Sequence, residues 1–165
     1  MDNKKLTFSA LLIALGTMTG HLIYIPVGVA KAFPVQHLIN ILSAVLLGPA
    51  YTVWNAFAIS LLRNMLGTGS LLAFPGSMIG ALIAGLLYQK FKSKGWALVG
   101  ELIGTGLLGA VAAYPIARFL MGSGSTVFFF VIPFSLSAAG GAVIAYLFLK
   151  AVEKADSLSF IEDLN

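Results

Sequence analysis

The chain is 165 residues long, 59% apolar and only 10% charged, with a formal net charge of +4 and no cysteine. Soluble domains carry about 25% charged residues, and a chain this apolar has too little polar side chain to cover a water-facing surface, which excludes a soluble enzyme or a soluble binding module. The missing cysteines rule out a disulfide framework, and in a membrane chain a basic excess reports orientation rather than nucleic-acid binding.

The N-terminal MDNKK followed by an apolar run mimics a signal peptide, but the apolar sequence continues with no small-residue cleavage site, so the run is read as a retained first helix. A transmembrane helix needs about 20 mostly apolar residues. The sequence predicts spans at Leu6–Tyr24, Val35–Gly48, Ala50–Leu66, Phe74–Phe91, Trp96–Met121 and Thr126–Val152. The first stops before Pro26. The second is short, and is expected to be tilted, re-entrant or started inside a folded loop. The tail, EKADSLSFIEDLN, reads as a cytosolic segment with the pattern of a short amphipathic helix. The expected architecture is an all-α integral membrane protein, a six-transmembrane-helix bundle forming one domain over residues 1–165. No room remains for a nucleotide-binding domain, and neither a G-x-x-x-x-G-K-[ST] phosphate loop nor an H-E-x-x-H zinc motif is present. Any use of ATP therefore falls to a partner.

Basic loop residues set the orientation. Lys4, Lys5, Lys90, Lys92, Lys94, Lys150 and Lys154 fall on one side, and Lys31, Arg63 and Arg118 on the other, which predicts both termini in the cytosol. The Lys31 loop, the GTGSLLAF loop and the GSGST loop then share one outer mouth.

Polar side chains gather at that mouth. Lys31, Phe33, Gln36, His37 and Asn40 lie on the first outer loop and the start of the second span. On a helix, 36 and 40, or 37 and 40, share a face. His21 and Tyr24 close the first span, Arg63 and Asn64 the third, and Tyr114 and Arg118 the fifth. Ionisable groups inside membranes are costly and usually face a cavity or one another, and an apolar hollow with a few convergent polar groups is the usual small-molecule site. Each residue also has a plainer reading: Tyr24 and Phe33 as interfacial aromatics, Lys31 and Arg118 reaching to headgroups, Arg63 as a helix-end anchor, His21 as a structural histidine. Three amide or imidazole side chains within five residues, Gln36, His37 and Asn40, are harder to explain that way. Glu101, the one acid well inside a span, is expected toward the cytosolic end, paired with a lysine or capping a helix. An intramembrane enzyme is not expected, because neither histidine has an evident carboxylate neighbour.

Small residues mark packing faces: Ala10 and Ala14 in the first span, Gly76, Gly80, Ala84 and Gly85 in the fourth, and Gly100, Gly104 and Gly109 in the fifth. The stretches HLIYIPVGVAKAFPVQHLIN, LLRNMLGTGSLLAFPGSMIGALIAGLLY and GELIGTGLLGAVAAYPIA resemble the ThiW group of substrate-binding S components of energy-coupling factor (ECF) vitamin transporters, over essentially the whole chain. The resemblance implies capture of hydroxyethylthiazole, the thiazole precursor of thiamine, at the outer face under the first loop. It implies association with a transmembrane coupling subunit and two ATPase subunits, with no cofactor in this chain. It makes the Ala10/Ala14 face the docking surface, and implies that the subunit topples in the membrane. A small neutral aromatic wants an aromatic wall, for which Phe33, Tyr24 and Tyr114 are candidates, and hydrogen-bond partners, for which Gln36, His37, Asn40 and Asn64 are candidates. A phosphorylated thiazole would instead want Lys31 and Arg63 together. The other readings are a stand-alone secondary transporter, against which the chain shows no clear inverted repeat, and an S component for the pyrimidine precursor or thiamine itself.

Overall fold

The computed structural model describes residues 3–27 and 30–154; the predicted tail helix beyond Lys154 lies outside them. Helix α1 (Asn3–Thr19) leads into a hairpin of β1 (Ile25–Val27) and β2 (Ala30–Ala32), paired antiparallel with Ile25 opposite Ala32. Helices α2 (Pro34–Leu46), α3 (Pro49–Met65) and α4 (Ala73–Phe91) follow. Helix α5 (Lys94–Leu120) carries π-helical turns at Gly104–Gly109 and Ile116–Leu120, and α6 (Val127–Lys154) opens with a 3-10 turn. The described chain is nearly all helix, and α5 and α6 are long and apolar enough to cross a membrane.

Helix α2 sits at the centre. Eleven of its residues, from Pro34 to Val45, are buried, including Gln36, His37, Asn40 and Ser43. It begins directly after the hairpin with Pro34 at its first turn, where the missing N–H costs nothing. It ends at Leu46, and Gly48, whose φ is 87°, lets the chain reverse tightly into Pro49 and α3. Leu12, Ile39, Ile41, Val45, Ile59 and Leu149 form the main apolar core around it.

Close approach of backbones, rather than large side chains, joins α4 to α5. A Cβ on Gly100 would lie 2.7 Å from Ala84 Cα, one on Gly104 2.7 Å from Gly80 Cα, and one on Gly109 2.7 Å from Gly76 Cα. Gly76, Gly80 and Ala84 of α4 and Gly100, Gly104 and Gly109 of α5 are thus one internal seam, whereas Gly85 packs on Pro49 of α3. A polar tie binds three helices elsewhere: the Ser9 hydroxyl on α1 donates to Asn55 Oδ1 on α3, and Asn55 Nδ2 donates to Ser43 Oγ on α2 at 3.0 Å. All three are buried. Asn55→Leu keeps the branching at Cγ and removes both bonds. It is expected to cost about 1–2 kcal/mol, read as a lower thermal midpoint in detergent; an unchanged midpoint would show that the tie contributes nothing.

Candidate functional site

The buried polar residues of α2 do not end in packing; they border a hollow. A cavity of about 340 Å³ lies between the hairpin, α2, the end of α3, the start of α4, the middle of α5 and the start of α6. Its aromatic wall is Phe33, Phe129, Phe130 and Phe134, and its polar lining includes Gln36, His37, Ser77, Thr105 and Ser137. That size and mixture suit a small ring-shaped ligand.

Two hydrogen-bonded layers hold the polar groups. The outer layer starts at Arg63, only 2% exposed. Its guanidinium donates to Gln36 Oε1 at 2.7 Å and to the Thr68 carbonyl at 3.1 Å, and lies 4.8 Å from the Phe33 ring centre. Gln36 Nε2 donates to Ser60 Oγ at 2.8 Å, which meets Ser77 Oγ at 3.1 Å. Among the described residues no carboxylate pairs with Arg63, and its Nε is buried without a partner.

The inner layer centres on Glu101, which is wholly buried. Its Oε1 lies 2.7 Å from His37 Nδ1 and accepts from Asn40 Nδ2 at 2.9 Å and Thr105 Oγ1 at 3.0 Å. Asn40 Nδ2 also donates to the Ser77 carbonyl at 3.1 Å, which fixes the amide's orientation. Glu101 and Thr105 are four residues apart on α5, with Thr105 inside the π-helical turn, a device common where a helix serves a site. The sequence reading that paired Glu101 with a lysine or a helix end, and left both histidines without a carboxylate neighbour, is therefore overturned: Glu101 is the carboxylate neighbour of His37.

Of the ten residues expected at the site, Lys31, Phe33, Gln36, His37 and Arg63 line the cavity. Asn40 lies beneath it, holding Glu101 and Ser77. Asn64 serves the adjoining loop, its Nδ2 donating to the carbonyls of Ser60 and Ser70 at 2.7 and 3.1 Å. Tyr24 is exposed and carries Lys31 Nζ 4.5 Å above its ring. Tyr114 packs behind the wall against the Ala110–Ala117–Phe130 cluster, not on the cavity itself. His21 does not line the cavity either, and its Nδ1 is buried without a partner. Arg118 is exposed. Sequence reading missed Phe129, Phe130, Phe134, Ser77, Thr105 and Ser137 as lining residues; the run VFFF beside a glycine-serine loop was the available signal for the wall. Ser137 also anchors the hairpin exit, its Oγ accepting from Phe33 N–H at 2.9 Å. Ala10 and Ala14 are exposed on α1, opposite the face of Ser9, Leu12, Gly16 and Thr17 that packs inward.

Neither a curated protein sequence nor a solved structure matches the chain. A family model described as the thiamine-precursor transporter protein ThiW matches residues 6–155. With apolar helices of membrane-crossing length and a buried cavity of small-molecule size, the chain belongs to the ThiW family of membrane transporters for thiamine precursors.

Proposed function

We propose that this chain is the substrate-capture (S) subunit of an ECF-type ABC importer, that it crosses the cell membrane six times with both termini in the cytoplasm, and that it takes hydroxyethylthiazole. The observation that carries this reading is the cavity: an aromatic wall facing a short run of uncharged or imidazole hydrogen-bonding groups, Gln36, His37, Ser77 and Thr105, on a scaffold with no nucleotide-binding segment. The thiazole ring stacks on the phenylalanines while its nitrogen and hydroxyl meet the polar groups. The hairpin and Phe33 cover the site from the mouth, and the exposed Ala10/Ala14 face receives the coupling subunit, whose two ATPase partners supply the ATP chemistry.

A second ligand has one specific observation in its favour. Arg63 is buried with only neutral partners, and Lys31 borders the same cavity, an arrangement that suits a thiazole phosphate. Calorimetric titration of the detergent-purified chain with hydroxyethylthiazole, its phosphate, the pyrimidine precursor and thiamine separates these. Submicromolar to micromolar binding of hydroxyethylthiazole, with no uptake by the chain alone in vesicles, is expected. Preference for the phosphate would reassign the ligand, and uptake by the chain alone would make it a stand-alone transporter. Ala10→Trp or Ala14→Trp is expected to block assembly with the coupling subunit while ligand affinity stays within about twofold; assembly surviving both changes would move the docking face elsewhere.

A further inference from the structure

Glu101 cannot touch a ligand, yet it dictates what His37 offers to one. Its side chain is 0% exposed, behind the cavity lining. Oε1 takes a donor from Asn40 and another from Thr105, and sits 2.7 Å from His37 Nδ1. The Asn40 amide is oriented by a second acceptor, the Ser77 carbonyl, so its Nδ2 is a donor at Oε1 without ambiguity. An oxygen already accepting two hydrogen bonds, one of them from an amide that can only donate, has the environment of a carboxylate oxygen. The third neighbour, Nδ1, then carries the ring proton and donates it. In a neutral imidazole the proton on one nitrogen leaves the other as an acceptor, so Nε2 holds a lone pair. Nε2 makes no hydrogen bond to any described residue and is not among the enclosed unpartnered atoms, while His37 itself borders the cavity.

We infer that Glu101 is a positioning residue that locks His37 in the Nδ1–H tautomer, so that Nε2 accepts a hydrogen bond from a hydroxyl of a neutral ligand in the cavity. The inference rests on the reading of that cavity as the site of a thiazole alcohol, and it adds the basis of selection: the hydroxyl hydrogen is read, and an analogue lacking it leaves Nε2 unpaired. In the outer layer Gln36 Oε1 already accepts from Arg63, and Ser77 Oγ gives its hydrogen to the Ala73 carbonyl at 2.7 Å and stands 3.1 Å from Ser60 Oγ. In Glu101→Leu no acceptor faces Nδ1 and Thr105 Oγ1, 3.5 Å from Nδ1, can donate to it instead, so the ring proton moves to Nε2, which turns the acceptor into a donor.

The test uses the full chain in detergent with ¹⁵N-labelled histidine, assigned by His21→Gln because the chain has two histidines. The expected spectrum at neutral pH gives His37 a protonated Nδ1 and a bare, acceptor-type Nε2. In parallel, hydroxyethylthiazole and the ethylthiazole that lacks the hydroxyl are titrated. The wild type is expected to prefer the alcohol by about tenfold or more. In Glu101→Leu that ratio is expected to fall to within about twofold, with the Nε2 signal shifting to the protonated type and ethylthiazole affinity retained. A protonated Nε2 in the wild type overturns the inference, as does an alcohol preference that Glu101→Leu leaves intact. Should Glu101→Leu fail to fold, the wild-type spectrum decides alone: a bare Nε2 beside a protonated Nδ1 supports the inference and a protonated Nε2 overturns it. If the wild type binds neither thiazole, the ligand assignment has failed, and the wild-type spectrum alone then decides the ring arrangement.

Discussion

Gly141→Leu is expected to leave almost no correctly folded protein, and Gly141→Ala to lower stability by about 1–3 kcal/mol. Gly141 lies where α6 crosses the first turn of α2. A Cβ built there would stand 2.6 Å from the Pro34 carbonyl oxygen, 2.6 Å from His37 Cβ and 2.7 Å from Leu38 N. Two of those neighbours are backbone, which cannot rotate away as a side-chain end does. The helices must separate, and α6 packs along much of the central helix, so the whole bundle feels the displacement. The alanine variant should also weaken ligand binding, because the atom that must move carries the His37 ring. Gly95→Ala is the control: its Cβ meets only Ser93 Oγ at 3.6 Å, an ordinary contact. Thermal unfolding in detergent followed by size-exclusion fluorescence gives the comparison. A Gly141→Leu protein that elutes and melts like the wild type would mean that α2 and α6 do not approach as described.

The helices were legible where apolar length and breakers agree. Gly48-Pro49 marks the α2–α3 turn, and the predicted starts and ends of α3 and α4 fall within a residue or so of Pro49–Met65 and Ala73–Phe91. Helix α1 was read too long. Pro26 was taken as its stop, whereas the helix ends at Thr19 and the following apolar residues enter the hairpin. Strands of three residues are too short to show an alternating pattern, so an apolar strand beside an apolar helix reads as more helix. The π-helical turns of α5 leave no periodicity signal of their own either.

The site was half legible for a related reason. Depth had been judged from loops, as though every span were the same length. Helix α2 has 13 residues, which is about 20 Å, well short of a bilayer's hydrocarbon core. His37 lies nine residues from the far end of α2, about 14 Å, and Glu101 seven residues from Lys94, about 10 Å. Those heights overlap, so the histidine read as a mouth residue meets the acid read as a cytosolic one. The hairpin fills the space that a longer helix would have occupied. Gln36, His37 and Arg63 were found because polar side chains stand out in an apolar chain; the phenylalanines of α6 were not, because in such a chain they do not.

His37→Ala is expected to be the most damaging change within the site, and to act on stability as well as affinity. It strips Glu101 of the imidazole 2.7 Å from Oε1 and leaves a wholly buried carboxyl with only Asn40 and Thr105 as partners, its Oε2 already unpaired. Removing one donor from a buried carboxylate typically costs about 1.5–3 kcal/mol, because a hydrogen bond to a charged group is lost where no water replaces it. Two donors survive here, which places the expected loss near about 2 kcal/mol. The double change His37→Ala/Glu101→Gln removes that charge and is expected to recover most of the melting temperature. Affinity should not return with it: the cavity has lost its imidazole, and hydroxyethylthiazole binding stays at least tenfold weaker, about 1.4 kcal/mol, in both proteins. That split is the decisive feature. Stability and affinity falling together in the single variant and separating in the double variant is the behaviour of a residue that both hydrogen-bonds the buried acid and contacts the guest. If the double variant binds like the wild type, His37 is a structural partner of Glu101 and the ligand contacts lie in the Gln36–Arg63 layer; if it stays as unstable as the single variant, the loss comes from the space vacated by the ring rather than from the unpaired acid.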